Sequence, residues 1–215
     1  MADLKSYRER FRDSAKAEKY AARFDAGPRN RIDRREQRAV QKIFSGLPDC
    51  RSVLDVPCGA GRFASALVQR NRQLVEMDVA MEILRHAQER ARKHGVRAGF
   101  VRGDAACLPL AGGAVECIFC NRLLHHLLVV EERMRILREF HRVSRRCVVV
   151  SFFDYQAFGA VRRMLKRLKG RKPPDPGQPT LEQFAGEAGA AGFRVREIIS
   201  TGPVWVAQKY FILEK

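Results

Sequence analysis

Apolar residues recur along this chain with two periods, and the alternation between them divides it into strands and helices. Residues 1–48 are charge-rich and helical in pattern. In DRREQRAVQKIF (33–44), Ala39, Val40, Ile43 and Phe44 form a stripe at helical spacing. Asp33 with Glu36 three residues on reads as a capping box that starts this helix, and GPRN at 27–30 separates it from an earlier one. Apolar runs then predict strands over Ser52–Val56, QLVEMD (73–78), RAGFVRGD ending at Asp104, AVECIFCN and RCVVVSFFD. Between them RFASALVQR, AMEILRHAQERARKHG and EERMRILREFHRV carry the helical period, and Gly95 is a natural stop for the second. PTLEQFAGEAGAAGF predicts a last helix, with Thr180 and Gln183 as capping box and Gly192 as stop. RVREIIS and WVAQKYFILEK are close enough to pair as an antiparallel hairpin.

Strands alternating with helices imply an α/β fold, a doubly wound, mostly parallel sheet with right-handed crossovers. In such sheets the ligand sits beyond the carboxyl ends of the strands. Those ends hold Asp55–Gly61, Asp78, Asp104 and Asn121–His126.

Composition adds a size and a partner class. At 215 residues, 46% hydrophobic and 30% charged, the chain fits one globular domain with a real core. No apolar run reaches the roughly 20 residues that span a bilayer, and the charged first 20 residues lack a signal-peptide core. A cytoplasmic location is the expectation these features carry. Cys50, Cys58, Cys107, Cys117, Cys120 and Cys147 show no framework spacing and are expected as reduced thiols. CIFC (117–120) lies in a strand, where Cys117 and Cys120 point to opposite faces, so no metal site is expected there. The net charge of +17 and pI near 10.3 favour an anionic partner, although an Arg-rich composition alone produces the same balance.

The chemistry centres on VLDVPCGAGRF (53–63). GAGRFA satisfies G-x-G-x-x-G/A, a weak signal that fits a dinucleotide or S-adenosylmethionine. A pyrophosphate would sit at the helix N-terminus and avoid a nearby carboxylate. The methionyl end of the methyl donor carries an ammonium and a sulfonium, so Asp55 favours that ligand. Asp78 is placed to accept both ribose hydroxyls. In GDAACLPL, Asp104 is placed to accept from the adenine amine, with the Ala105 amide serving a ring nitrogen.

VLDVPCGAGRF, VEMDVAMEILRHA, GDAACLPL and CNRLLHHL together resemble the successive motifs of class I S-adenosylmethionine-dependent methyltransferases, in tone the small-molecule and quinone-biosynthesis-like group. The resemblance covers about residues 50–153. It implies a Rossmann-like seven-stranded sheet with an antiparallel last strand and an S-adenosylmethionine cofactor. It carries Asp55, Gly59 and Gly61 to the methionyl end, Asp78 to ribose, Asp104 and Ala105 to adenine, and Asn121 to the sulfonium side. Pro57 departs from the pattern, which has its first glycine there; it shapes the turn but offers no amide. The expected organisation is a helical N-terminal segment or lid (1–48), a methyltransferase domain (49–215) and a basic helical insertion at about 155–178.

His125 and His126, past the fourth strand, are the candidate catalytic bases for an acceptor that must lose a proton; both also suit packing of the next helix. Asp154 and Tyr155 are comparable candidates. In YQAFGAVRRMLKRLKGRKPPDPGQP, seven basic residues fall between 162 and 172 without an acid. Such a helix fits an anionic membrane surface, phosphates or a solvated face on the core. The expected acceptor is small or lipid-linked and anionic, met in solution or peripherally at the inner face of a membrane. RNA as acceptor is the first alternative, although few aromatics are interleaved with the charges. A non-catalytic binding module of the same fold is the second.

Overall fold

The computed structural model of the chain describes residues 14–22, 28–47, 49–154, 168, 179–203 and 206–215. Tyr155 and the basic segment at 155–178, Leu168 apart, lie outside the described residues. Seven strands, β1 (Ser52–Asp55), β2 (Gln73–Asp78), β3 (Gly99–Arg102), β4 (Val115–Cys120), β5 (Ser144–Phe153), β6 (Arg194–Ser200) and β7 (Gln208–Glu214), form one sheet in the order β3-β2-β1-β4-β5-β7-β6. All neighbours are parallel except β7, which runs antiparallel to β5 and β6. The helices are α1 (Ser14–Ala22), α2 (Pro28–Ser45), α3 (Ala64–Leu67), α4 (Met81–Lys93), α5 (Val130–Val143) and α6 (Leu181–Ala190). This is the Rossmann-like arrangement expected, and the strand order reverses between β1 and β4, where such sheets hold ligands.

The central strands are continuous apolar runs because both sheet faces are covered. Leu54, Ile118, Cys120, Val148 and Val150 face one core with Ile136 and Phe140 of α5 and Phe184 of α6. Val53, Cys117, Phe119 and Val149 face the other with Val40 and Phe44 of α2. Cys117 and Cys120 thus point to opposite faces, as the strand period requires. Arg72 joins α2 to the sheet: its guanidinium donates to the carbonyls of Phe44 (2.5 Å) and Leu47 (3.0 Å) at the end of α2 and to that of Cys50 (2.7 Å) before β1.

Two local expectations are corrected. The second helix begins at Pro28, so Asp33 lies inside it and is not its cap; proline suits a first helical position because its missing N–H has no helical partner there. The helix expected over RFASALVQR is cut to Ala64–Leu67 and a 3₁₀ turn at Gln69–Asn71, where Arg70 and Asn71 adopt φ of 62° and 58°. The other cap is present in both directions. The Gln183 amide donates to Thr180 Oγ1 (3.0 Å) and the Thr180 amide to Gln183 Oε1 (2.8 Å).

Candidate functional site

The site starts where β1 ends. Asp55 is its last residue, and the Val56 amide still donates to the Phe119 carbonyl of β4 at 2.9 Å. Pro57, joined to Val56 by a cis peptide, offers no amide, and the Cys58 amide turns back to the Met77 carbonyl of β2 at 2.9 Å. Gly59 and Gly61 then take φ of +56° and +67°, the left-handed region that glycine enters without penalty. At Gly61 an added Cβ would lie 3.0 Å from Ala87 Cα and 3.1 Å from Glu76 Oε2. This glycine therefore lets α4 approach the loop. The glycine amides are used inside the fold: Gly61 donates to the Cys58 carbonyl (3.1 Å) and Gly59 to Asp78 Oδ2 (3.0 Å). Both residues shape the turn.

Asp78 is buried at the end of β2 and also accepts the Ala80 amide on Oδ1 at 3.1 Å. Each carboxylate oxygen has a second lone pair, so Asp78 can accept from a ligand as well as from these amides. Burial raises its pKa to about 6, against the lowering effect of the Ala80 and Gly59 amides.

Asp55 is 1% exposed, and neither of its oxygens has a hydrogen-bond partner among the described residues. Its Cα partner across the β1–β2 ladder is Glu76, also fully buried with both oxygens unpartnered there. Parallel neighbours point to the same face, so two carboxyls sit side by side. Burial and then the Glu76 charge push Asp55 well above the carboxylate range, partly offset by Arg62. Burial raises Glu76 to about 8, with Arg90 opposing. Sequence reasoning passed over Glu76; its signal was an acid between Val75 and Met77 inside a buried strand. Orphaned buried oxygens cost roughly 1–3 kcal/mol each unless a ligand satisfies them, and a cationic ligand does so best.

Asp104 forms a tight turn, its Oδ1 accepting the Ala106 amide at 2.9 Å and its carbonyl the Cys107 amide at 3.0 Å, with Ala105 buried within it. Asn121 Oδ1 accepts from Tyr210 Oη (3.1 Å) and Gln208 Nε2 (3.3 Å), tying the end of β4 to β7. His125 is buried between His126 and Phe153, with ring centroids 4.0 and 4.2 Å away, and its Nδ1 has no partner among the described residues. Burial, then the charges of His126 and Arg122, hold its pKa well below the ordinary imidazole value. His126 is half-buried. The Asp154 amide donates to the Ala207 carbonyl, just before β7, at 2.6 Å.

Residues 53–146 match the family model described as a methyltransferase domain. The fold agrees with it. A magnesium protoporphyrin IX methyltransferase from Synechocystis, solved with bound SAH, superposes over all of both chains with a TM-score of 0.74 at 18% identity. A SAM-dependent methyltransferase from Aquifex aeolicus does so over 94% of this chain and 98% of its own, with a TM-score of 0.65 at 19% identity. Residues 53–146 thus resemble a methyltransferase domain, and the sheet is that of the class I methyltransferase fold. The cofactor of this class is S-adenosylmethionine. Among curated proteins, an uncharacterized protein of Mycobacterium tuberculosis is 25% identical over 66% of this chain and 51% of its own length. A malonyl-[acyl-carrier protein] O-methyltransferase of Pectobacterium atrosepticum is 30% identical over 53% of this chain and 41% of its own. The chain therefore spans about half the length of the curated relatives it matches.

The N-terminal helices bear directly on the glycine loop. Tyr20 of α1 lies 3.5 Å from where a Gly59 Cβ would stand, and Ala17 packs with Ala60, Ala80 and Ile83. On α2, fully buried Glu36 receives Arg62 Nη2 of the glycine loop at 2.5 Å and Arg122 from the turn after β4, while Asp33 also receives Arg62. The Asp33–Glu36 spacing thus puts two acids on one helix face. Glu36→Ala removes the buried carboxylate that Arg62 and Arg122 share, and breaking one side of such a buried pair costs about 3 kcal/mol or more. An unfolding free energy lower by that amount, read from denaturant titration, is expected; a change below about 1 kcal/mol, the range of exposed pairs, would show that the cluster does not hold α2 in place.

The other face of α2 is cationic. Arg31, Arg34, Arg35, Arg38 and Lys42 line a cavity of about 760 Å³ whose opposite wall is Ile199–Gly202 at the end of β6. Because β6 and β5 are both antiparallel to β7, this cavity opens at the same end of the sheet as the glycine loop.

Proposed function

We propose that the chain transfers a methyl group from S-adenosylmethionine to a small or lipid-linked anionic acceptor. The observation that carries the acceptor class is the cavity beside α2: five cationic side chains, no acid among its described lining residues, and a position at the carboxyl end of the sheet. The malonyl group in the Pectobacterium relative's name is itself an anionic acyl group, which supports the same class.

In this reading Asp55, with Glu76 beside it, receives the donor's ammonium, Asp78 the ribose, and Asp104 with the Ala105 amide the adenine. Gly59 and Gly61 hold the turn that these acids surround. Asn121, oriented by Tyr210 and Gln208, lines the sulfonium side. The bound donor supplies an already electrophilic methyl, so alignment accounts for much of the acceleration. His125, kept in its neutral, proton-accepting form, and half-buried His126 are the side chains placed to take a proton where the acceptor must lose one. The N-terminal helices act as a lid, α1 over the glycine loop and α2 carrying the cationic wall.

The test is incubation with labelled donor and a fractionated cell extract. Label entering a small-molecule or lipid fraction supports the reading. Label entering RNA only would replace the acceptor class, and no donor binding at all would leave a non-catalytic module. Reversing two cavity charges, Arg34→Glu with Arg38→Glu, is expected to raise the acceptor's KM on the order of tenfold, since such charges act through electrostatic complementarity. Donor affinity measured by calorimetry should stay unchanged. An unaltered KM would remove the cavity from acceptor recognition.

A further inference from the structure

The end of the sheet opposite the donor site holds a cluster that the methyl-transfer chemistry does not use. Cys117 on β4 and Cys147 on β5 are Cα partners in a parallel ladder, so their side chains point to the same face. Cys50, just before β1, joins them. The three Sγ atoms all lie within 4.8 Å of one another, with Cys50 and Cys147 at 3.5 Å. All three residues are buried. Their separations are far from a bonded disulfide, about 2.05 Å. They are close to the roughly 4 Å between sulfurs that share one ion at the zinc–thiolate bond length of about 2.3 Å.

We propose that Cys50, Cys117 and Cys147 form a trithiolate site for a soft d¹⁰ cation of the Zn(II) or Cu(I) class. The set is sulfur-only, which selects such ions over magnesium or calcium. It lies on elements whose positions are fixed by the fold: two adjacent central strands, and a turn whose Cys50 carbonyl is held by Arg72 at 2.7 Å. An entry path exists. Cys50 and Cys147 line a cavity of about 300 Å³ together with Asp49, Arg146 and Glu214 at the amino ends of the parallel strands. On binding, each ligating thiol releases its proton to solvent and forms one metal–sulfur bond, so no oxidant is needed. CIFC contributes Cys117 alone; its partners come from two other segments.

The test uses the reduced 215-residue chain and Zn(II) alone. One tightly held equivalent is expected in competition with a chromophoric chelator, and X-ray absorption of that complex should show three sulfur neighbours. Cys50→Ser and Cys147→Ser should each weaken binding at least 100-fold, while Cys107→Ser, a change at an exposed thiol, should leave it unaltered. If the Cys50 and Cys147 variants fail to fold, the sulfur count on the unmodified chain still decides. Nitrogen and oxygen neighbours in place of sulfur, no stoichiometric binding, or equal affinity in a folded Cys50→Ser chain would each overturn the site.

Discussion

Asp78→Ala is expected to weaken S-adenosylmethionine binding about 1000-fold, with the sheet intact by circular dichroism. Two losses combine. Ribose hydroxyls lose a charged acceptor, worth about 1.5–3 kcal/mol per hydrogen bond. The Gly59 and Ala80 amides, now held at 3.0 and 3.1 Å, lose their partner, and the left-handed turn at Gly59 is no longer pinned. A net loss of about 4 kcal/mol is a factor of about 1000 in affinity. Asp78→Asn keeps one acceptor oxygen and is expected to fall between the alanine variant and the parent. Calorimetry with both S-adenosylmethionine and its demethylated product reads the effect. Alanine-variant affinity within threefold of the parent would mean that the ribose lies elsewhere.

The acids at strand ends were legible because chain position alone puts them there. A run such as VLD closing on a glycine turn places Asp55 at the carboxyl end of its strand whatever the neighbours do. Glu76 was not legible in that way. Its meaning comes from the β1–β2 register, which sets it beside Asp55, and register is a property of two segments together. The same distinction separates the two capping-box patterns. Thr180 and Gln183 act within their own turn, so sequence spacing sufficed. Asp33 and Glu36 have the same spacing but their partners, Arg62 and Arg122, are supplied by the glycine loop and the turn after β4. The glycine motif marked the turn after β1, while the partner of its Gly59 amide, Asp78, comes from a different strand. Strand alternation likewise separated Cys117 from Cys120 but could not bring Cys50 and Cys147 to it, because strand order is needed for that.

Glu76 gives the second large expected effect. Its folded pKa near 8 lies above the unfolded value near 4.5 because burial penalises the charged form. Between those values the folded state binds more protons than the unfolded chain, so stability falls as pH rises. The stability contributed by the protonated form is fully present below about pH 4.5 and lost as pH passes through about 8. Each pKa unit is about 1.4 kcal/mol, so the window spans on the order of 5 kcal/mol for this residue alone. Asp78, raised to about 6, and Asp55, raised further by the Glu76 charge, add slope of the same sign. Glu76→Gln keeps the shape and removes the titration. Unfolding midpoints measured from pH 5 to 8 should therefore decline steeply for the parent and much less for this variant. The donor reverses the trend, because a cationic ligand favours ionised carboxyls. Donor affinity should rise over the same range, and calorimetry in buffers of different ionisation enthalpy should detect proton release on binding. Equal slopes in parent and Glu76→Gln would show that the carboxyl beside Asp55 is not the group linking pH to stability.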